Sequence, residues 1–151
     1  MLKLVLVHPQ IPPNTGNIAR TCAATDTALH LVGPLGFEIS DRHLKRAGLD
    51  YWPHVDLHLH PTLDIFLEQQ TQQGGRLLGY SVRGQKPYHH FDYKQDDWLL
   101  FGSETQGLPS ELLSDCDATL SIPINNKHVR SLNLSVSAAV GLFEARRYLS
   151  L

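Results

Sequence analysis

Three polar stretches carry residues whose types and spacing suit chemistry on a polar ligand. The last of them runs from Ile122-Pro-Ile124 through a polar loop to Ser131 and Asn133, which stand just before an apolar run. Pro123 lacks an N–H and fits a strand end, while Ser131 and Asn133 are good N-cap residues. The pattern predicts a helix N-terminus whose free backbone N–H groups can meet a ligand. A core helix that merely closes the domain is the alternative.

The other two stretches contain glycines where a backbone needs room. Gly102-Ser-Glu-Thr-Gln-Gly107 lies between an apolar strand and a helix that Pro109 begins. Asn14-Thr-Gly16-Asn17 leads into Arg20, and a glycine in the first turn of a helix costs about 1 kcal/mol relative to alanine. Close approach to a ligand is one reason for such glycines, and ordinary turn geometry is the other.

Several common ligand sites are absent from the sequence. The first strand is followed by His8-Pro-Gln-Ile-Pro-Pro13 and not by G-x-G-x-x-G, and there is no Walker A motif. The nine histidines include the alternating His58 and His60, but no cysteine, aspartate or glutamate near them has the spacing of a metal site. We therefore expect these histidines at the surface, no metal site and no standard dinucleotide site.

Six short apolar runs alternate with helix patterns and must position these loops. Strands are predicted at 2–7, 29–32, 55–59, 77–82, 98–101 and 118–124. Helices are predicted over 15–25, with Asn14 as cap, over 41–47, with Ser40 as cap, from Thr62, from Pro109 and after Asn133. Residues 83–97 are polar and predict a surface loop. The alternation predicts an α/β fold, a mainly parallel six-stranded sheet with helices on both faces.

Length and composition limit the class of protein. The 151 residues, 42% of them hydrophobic, suit a single domain with an ordinary core. A net charge of −2 gives no global sign of nucleic acid, so any basic surface must be local. Cys22 and Cys116 form no C-x-x-C motif, and no signal-like N-terminus is present, which predicts a reduced, cytoplasmic protein. No apolar run approaches the ~20 residues of a membrane span.

The motifs together resemble those of a known family. Their sequences are Asn14-Thr-Gly-Asn-Ile-Ala-Arg20, Leu100-Phe-Gly-Ser-Glu-Thr-Gln-Gly-Leu-Pro109, and Ile122-Pro-Ile124 with Val129-Arg-Ser-Leu-Asn-Leu-Ser-Val136. In order and spacing they resemble the SpoU branch of the SPOUT superfamily of RNA methyltransferases, over the whole chain. The short length and the segment 11–17 are similar to the TrmL (YibK-like) type, tRNA (cytidine/uridine-34)-2′-O-methyltransferases. The segment 41–51 is similar to the smallest members, which lack an appended RNA-binding domain.

The resemblance implies a fold, a cofactor and partners. It implies a deep trefoil knot in the C-terminal half, a homodimer, a tRNA anticodon stem-loop as substrate, and S-adenosylmethionine bound in the knot, with S-adenosylhomocysteine as product. No metal is needed because the sulfonium already carries an activated methyl group. A homodimer is also expected from the small-residue last helix and the apolar residues around Ile18 and Cys22.

The family's site residues carry over to positions of this sequence. The implied cofactor-binding residues are Tyr80, Gly102, Glu104, Gly107, Ile122, Ile124, Ser131 and Leu132. The implied catalytic residues are Arg20, Asn14, Ser131 and Asn133. Replacing Gly102 by valine is expected to weaken cofactor binding, because the side chain would occupy space that the ligand needs.

The implied reaction methylates the ribose 2′-hydroxyl of the wobble nucleotide, C34 or U34. A ribose hydroxyl is a poor nucleophile, so the site must orient it and help its proton leave. Arginine side chains keep their proton at neutral pH, so Arg20 is a bad general base. We expect it to anchor phosphate and stabilise the developing alkoxide, which leaves the general base open. Ser131 and Asn133 can hold the hydroxyl or the nucleotide, and Glu104 can instead fix its loop.

Three alternative functions compete with this one. The enzyme could methylate another tRNA or rRNA position, or the chain could bind RNA or a nucleotide without chemistry. The presence of Asn14, Arg20, Glu104 and Ser131 together argues against a degenerate binder. A metal-dependent hydrolase has only the number of histidines in its favour.

Overall fold

A parallel sheet forms the centre of the molecule in the computed structural model, which describes residues 1–40, 42–47 and 50–151. Its strands are β1 (Lys3–Val7), β2 (Ala28–Val32), β3 (Leu57–His60), β4 (Leu77–Tyr80), β5 (Lys86–Pro87), β6 (Trp98–Phe101) and β7 (Ala118–Ser121). They lie in the order β3-β2-β1-β6-β4-β7-β5, and each neighbouring pair is parallel. The predicted parallel α/β architecture is confirmed. The count of six strands is wrong, because β5 is too short to show any periodicity.

Helices cover both faces of the sheet, as predicted. They are α1 (Pro12–Ala24), α2 (Arg42–Ala47), α3 (Leu63–Gln73), α4 (Ser110–Asp115) and α5 (Leu134–Leu149). Leu4 and Leu6 of β1 share one core with α1 and α5, whereas Val5 and Val7 share the other with α3 and α4. The alternation follows from the period-2 geometry of a strand. Burial on both faces explains the almost continuous apolar runs.

The residues of α1 that had suggested a dimer surface belong to this core. Ile18 is 1% exposed and Cys22 is 0% exposed within a single chain. Both pack in the cluster that contains Leu4, Leu6 and Ala138. That part of the case for a homodimer is therefore wrong, because the sheet of the same chain already covers these side chains.

The predicted starts of α3 and α5 are confirmed, whereas the predicted start of α1 is wrong. The Thr62 hydroxyl accepts a hydrogen bond from Ile65 N at 3.3 Å, and Asn133 caps α5. The start of α1 lies at Pro12, so Asn14 is within the first turn and does not cap the helix. A proline already holds the backbone φ of a first helical turn, which allows the earlier start. The predicted cap of α2 at Ser40 involves Asp41, which lies outside the described residues.

A row of three histidine rings crosses β2 and β3. The ring of His30 stacks on His58, with centroids 4.5 Å apart, and on His60, at 5.1 Å. Its Nδ1 lies 2.9 Å from His60 Nε2. His58 is exposed as predicted, but His60 is 5% exposed while Leu59 is 53% exposed. The expectation of a surface histidine is thus wrong for His60, because Phe66 of α3 packs against its ring, at 5.2 Å.

The free energy of unfolding should depend on pH because of this row of histidines. Burial, followed by the neighbouring His58, His60 and Lys3, lowers the pKa of His30 from 6.5 to about 3. Because the unfolded chain binds this proton at higher pH than the folded one, stability is lost as pH falls from about 6.5 towards 3. Each proton that is taken up only on unfolding changes the free energy of unfolding by about 1.4 kcal/mol per pH unit.

Urea unfolding midpoints between pH 4 and pH 7.5 test this dependence. The groups around His30 are Lys3, His58 with its partner Asp56, and His60. Replacing His30 by phenylalanine keeps an aromatic ring and removes the titrating group. The unfolding midpoint of the variant should therefore change less with pH than that of the wild type. An equal change with pH in the two proteins contradicts the prediction.

Candidate functional site

A large cavity opens at the carboxyl ends of β1, β4, β6 and β7. Its volume is about 1170 Å³, above the ~300–1,000 Å³ typical of a site for one small ligand. In open parallel sheets this edge is the usual place of ligand binding. The cavity is therefore correctly placed for a site, and it has room for more than one small molecule.

All eight residues predicted to bind the cofactor line this cavity. They are Tyr80, Gly102, Glu104, Gly107, Ile122, Ile124, Ser131 and Leu132. They come from the ends of three strands and from the loop that leads into α5. The fold brings together residues that are up to 52 positions apart, Tyr80 and Leu132.

Tyr80 is fixed in the cavity wall by contacts on several sides. Its ring stacks on Phe101 with centroids 4.5 Å apart, and its hydroxyl lies 2.9 Å from the hydroxyl of Tyr93. Tyr93 in turn donates to the carbonyl oxygen of Tyr88 at 2.7 Å. Burial, with a further contribution from Tyr93, raises the pKa of Tyr80 well above its usual value. The side chain therefore offers the cavity a neutral aromatic ring.

The loop between β6 and α4 is closed by two backbone hydrogen bonds between Ser103 and Gly107. Ser103 N donates to Gly107 O at 3.3 Å, and Gly107 N donates to Ser103 O at 3.0 Å. A Cβ on Gly102 would lie 1.9 Å from the carbonyl carbon of Gly107, so this glycine is required by the loop itself. The stated reason for the Gly102→Val effect is wrong, since the added side chain meets the backbone. Gly107 has a φ of 69° and open space where its Cβ would be.

Glu104 ties this loop to the start of α1. Its carboxylate accepts hydrogen bonds from Gln10 N at 2.8 Å and from Ile11 N at 3.0 Å. Asn14 Nδ2 lies 3.5 Å from Glu104 Oε1. The alternative that Glu104 fixes its loop thus matches its contacts. Because a charged acceptor gives stronger hydrogen bonds than a neutral one, this is a firm link.

Asn14 connects Glu104 to the start of α5. Asn133 Nδ2 donates to Asn14 Oδ1 at 3.2 Å, while Asn133 Oδ1 accepts from Ser135 N at 2.9 Å and from Val136 N. Asn14 is 8% exposed, so its amide is largely withdrawn from solvent. We call Glu104, Asn14 and Asn133 the polar bridge. It joins segments that are 90 and 119 residues from Asn14 along the chain.

The other two predicted catalytic residues lie in different places. Ser131 is exposed and lines the cavity. Arg20 lies on the outer part of α1, outside the cavity lining, and its guanidinium is 4.9 Å from the ring centroid of Tyr51. Of the four predicted catalytic residues, Ser131 alone lines the cavity. Asn14 and Asn133 lie outside the lining and are joined to it through Glu104, and Arg20 lies farther along α1.

Sequence reasoning missed the contribution of the turn after β1. His8 and Gln10 line the cavity, although neither was a predicted site residue. The signal was available, because the carboxyl end of any parallel strand is a candidate ligand site. The loop after β4 was missed as well, since Ser81, Val82 and Arg83 also line the cavity.

The described residues contain no group of three or more histidine, cysteine, aspartate or glutamate side chains arranged to hold a metal ion. They also contain no helix with the length and apolar character needed to cross a membrane.

Comparison with known proteins gives one consistent result. Residues 1–143 match the model of the SpoU rRNA Methylase family. A Burkholderia cenocepacia protein named tRNA (cytidine(34)-2′-O)-methyltransferase is 43% identical over 149 residues, which cover 97% of this chain and 95% of the relative. A Synechocystis protein provisionally given the same name is 60% identical, over 99% of this chain and 97% of the relative.

Solved structures agree with these sequence relatives. A structure described as giving insights into the 2-OH methylation of C/U34 on tRNA superposes with a TM-score of 0.95 at 50% identity, over 99% of this chain and 97% of the other. The SpoU methyltransferase AviRb from Streptomyces viridochromogenes, in complex with the cofactor AdoMet, gives a TM-score of 0.87 at 27% identity. This chain covers 58% of AviRb, and 99% of this chain is matched.

Proposed function

The chain belongs to the SpoU rRNA methylase family, and we propose that it transfers a methyl group from S-adenosylmethionine to the ribose 2′-hydroxyl of nucleotide 34 of tRNA, a cytidine or a uridine. The observation that carries the proposal is the high identity to relatives named for this reaction, over almost their whole length. The cavity supports it, because the eight residues expected to hold the cofactor all line it.

The residues of the cavity fit this cofactor. Tyr80, Ile122, Ile124 and Leu132 supply an apolar wall for a flat base, and Gly107 presents backbone to open space. Backbone N–H and C=O groups of tight loops can meet the edges of an adenine. The cofactor, when bound, supplies a methyl group that its sulfonium has already activated, so the proposal includes no metal. S-adenosylhomocysteine is the product that leaves.

The protein's own task is to orient the ribose hydroxyl and stabilise its developing charge. Ser131 lies on the cavity and is placed to hold the nucleotide. Asn133 and Asn14 are held by each other and by the start of α5, so they position the nucleotide side of the site. Arg20 supplies positive charge to the RNA, as phosphate anchor and partner of the developing alkoxide.

Three further properties belong to the proposal. We infer that the chain forms a deep trefoil knot, supported by the high structural similarity to SpoU-type methyltransferases and by the way loops 102–107 and 122–132 share one cavity. We also propose that residues 1–151 act as one methyltransferase domain. A cytoplasmic location stays a prediction.

The reaction itself can be tested with a synthetic anticodon stem-loop. We expect methyl transfer from labelled S-adenosylmethionine in excess chelator, with the label mapped by mass spectrometry to the 2′-oxygen of nucleotide 34. A stem-loop with a 2′-deoxynucleotide at position 34 is the matched control and should accept no label. Label at another nucleotide, or transfer only after a divalent ion is restored, contradicts the proposal.

The homodimer is proposed on a revised basis. Val136 and Phe143 of α5 are 48% and 52% exposed, and residues seven apart lie on the same face of a helix. Val129 and Leu132, in the loop before α5, are also exposed. Apolar side chains that share a face of one helix suit contact with a second copy. Two subunits could also pool the basic residues of a chain whose net charge is −2.

Replacing Phe143 by glutamate should therefore convert a dimer to a monomer. A charge at the centre of an apolar contact loses its hydration without gaining a partner. Light scattering at micromolar concentration should give twice the chain mass for the wild type and the single mass for the variant. Leu59→Glu places the same charge at a similarly exposed leucine on β3 and should remain dimeric. A monomeric wild type with full activity removes the dimer.

A further inference from the structure

His8, the residue directly after β1, has an unusual backbone conformation. His8 is half-buried, lines the cavity and has a φ of 56°, in the left-handed region that side chains rarely adopt. Among the described non-glycine residues, Asp26 and Ser150 also have positive φ, and both lie at the ends of helices, where this is common. His8 instead lies directly after a strand, at the cavity. Such a conformation at a candidate site points to a function.

The backbone around His8 is held from two directions. His8 N donates to Val32 O at 2.9 Å, and His8 O accepts from Gln10 Nε2 at 2.9 Å. The next turn is fixed by Glu104, which accepts from Gln10 N at 2.8 Å. The backbone that carries the imidazole is therefore fixed by the fold before any ligand binds.

The two ring nitrogens of His8 differ in their surroundings. Nδ1 is buried and has no hydrogen-bond partner among the described residues. A buried N–H without an acceptor is costly, so an N–H of this ring is better placed at Nε2 than at Nδ1. With Nδ1 enclosed by protein, Nε2 is the nitrogen left to meet a ligand. His8 is thus built as a hydrogen-bond donor.

The position of His8 assigns this donor to the nucleotide. Tyr80, the loop 102–107 and the loop 122–132 form the proposed cofactor side, while the turn after β1 leads into α1 with Asn14 and Arg20. The cavity volume of about 1170 Å³ leaves room for a nucleotide beside a cofactor. On the basis of the proposed function, we propose that His8 Nε2–H donates a hydrogen bond to the O2 carbonyl of pyrimidine 34.

This contact explains how one site can accept two bases. Cytidine and uridine share the O2 carbonyl and differ at N3 and at position 4. A single donor directed at O2 therefore accepts both pyrimidines without separating C from U, although a purine offers its N3 as an acceptor on the same edge. His8 then positions the base and leaves the chemical step to others.

A substrate-atom exchange tests the contact directly. Stem-loops carrying uridine or 2-thiouridine at position 34 differ in one atom, and sulfur is the weaker acceptor. For the wild type we expect kcat/KM to fall about tenfold with the thio substrate, the scale of one neutral hydrogen bond. For His8→Ala we expect kcat/KM on uridine to fall by a similar factor and the preference for oxygen to disappear. His8→Gln keeps an N–H donor of similar reach and should retain part of the preference.

The controls separate the possible outcomes. S-adenosylmethionine affinity, measured by calorimetry without RNA, should be unchanged in His8→Ala, which also shows that the variant is folded. His90→Ala removes an exposed histidine outside the cavity and should behave as wild type. An unchanged oxygen preference in His8→Ala overturns the inference, as does a loss of cofactor affinity, which would place His8 on the cofactor side. No methylation of either stem-loop by the wild type would overturn the proposed function itself.

Discussion

Replacing Arg20 by alanine should reduce methyl transfer to tRNA by about 10²-fold or more, the loss typical of one preorganised electrostatic group. Arg20 is exposed on α1 and lies outside the lining of the cavity that holds the predicted cofactor residues. Its guanidinium is oriented by the ring of Tyr51, 4.9 Å away. We therefore expect the affinity for S-adenosylmethionine to stay within experimental error of the wild type. The measurement is single-turnover transfer to a stem-loop, with calorimetry for the cofactor.

Two further variants define what Arg20 contributes. Arg20→Lys should restore only part of the rate, because a point charge does not reproduce the two-pronged fork of a guanidinium. Lys94→Ala removes the same charge from an exposed side chain outside the cavity and should retain full activity. Normal turnover by Arg20→Ala shows that the residue has no role in the reaction. A variant that loses cofactor affinity but binds tRNA normally shows that Arg20 belongs to the other half of the site.

The largest expected effect on folding is at Asp97, directly before β6. Its carboxylate accepts from Arg76 Nε at 2.8 Å, from Arg76 Nη2 at 2.7 Å and from Lys94 N at 2.7 Å, and the side chain is 0% exposed. The pairing with Asp97 raises the pKa of Arg76. Removing this carboxylate leaves Arg76, whose side chain is 28% exposed, and the Lys94 N–H without their acceptor, which costs about 1.5–3 kcal/mol. Asp97→Ala should lose that much free energy of unfolding.

Urea unfolding at constant m value measures this loss. Asp96→Ala, at the exposed neighbouring position, is the matched control and should change stability by less than about 0.5 kcal/mol. Combining Arg76→Met with Asp97→Leu should recover part of the loss, because no charge is then left without its partner. A change below about 1 kcal/mol in Asp97→Ala would show that solvent and the acceptor Arg76 already has, Asp92 O at 2.9 Å, are enough to satisfy its guanidinium.

Local patterns were sufficient for the elements with clear boundaries. The strand Trp98–Phe101 was predicted at its observed residues, and Thr62 caps α3 as expected. In both cases the signal lies within a few residues, in an apolar run or in a hydroxyl beside free N–H groups. The eight cavity-lining residues came from the family resemblance, which carries long-range information that composition and periodicity lack.

The errors arose where distant segments decide the outcome. Asn14 looks like a helix cap, but its amide is bound to Glu104 and Asn133. His60 and Leu59 have the reverse of the burial that their polarity predicts, because the ring of His30 lies beside His60 and Phe66 covers it. A local pattern contains no record of which residues of another helix or strand become neighbours.

The polar bridge has a thermodynamic consequence for how the two substrates bind. Glu104 lies on the cavity, and through Asn14 it is joined to the helix that carries Arg20 and to the start of α5. We expect a ligand that orders one end of this chain of hydrogen bonds to affect binding at the other end. Coupling between two sites is reciprocal, so the factor by which tRNA raises the affinity for S-adenosylmethionine equals the factor by which S-adenosylmethionine raises the affinity for tRNA. The order in which the two arrive therefore leaves the stability of the ternary complex unchanged.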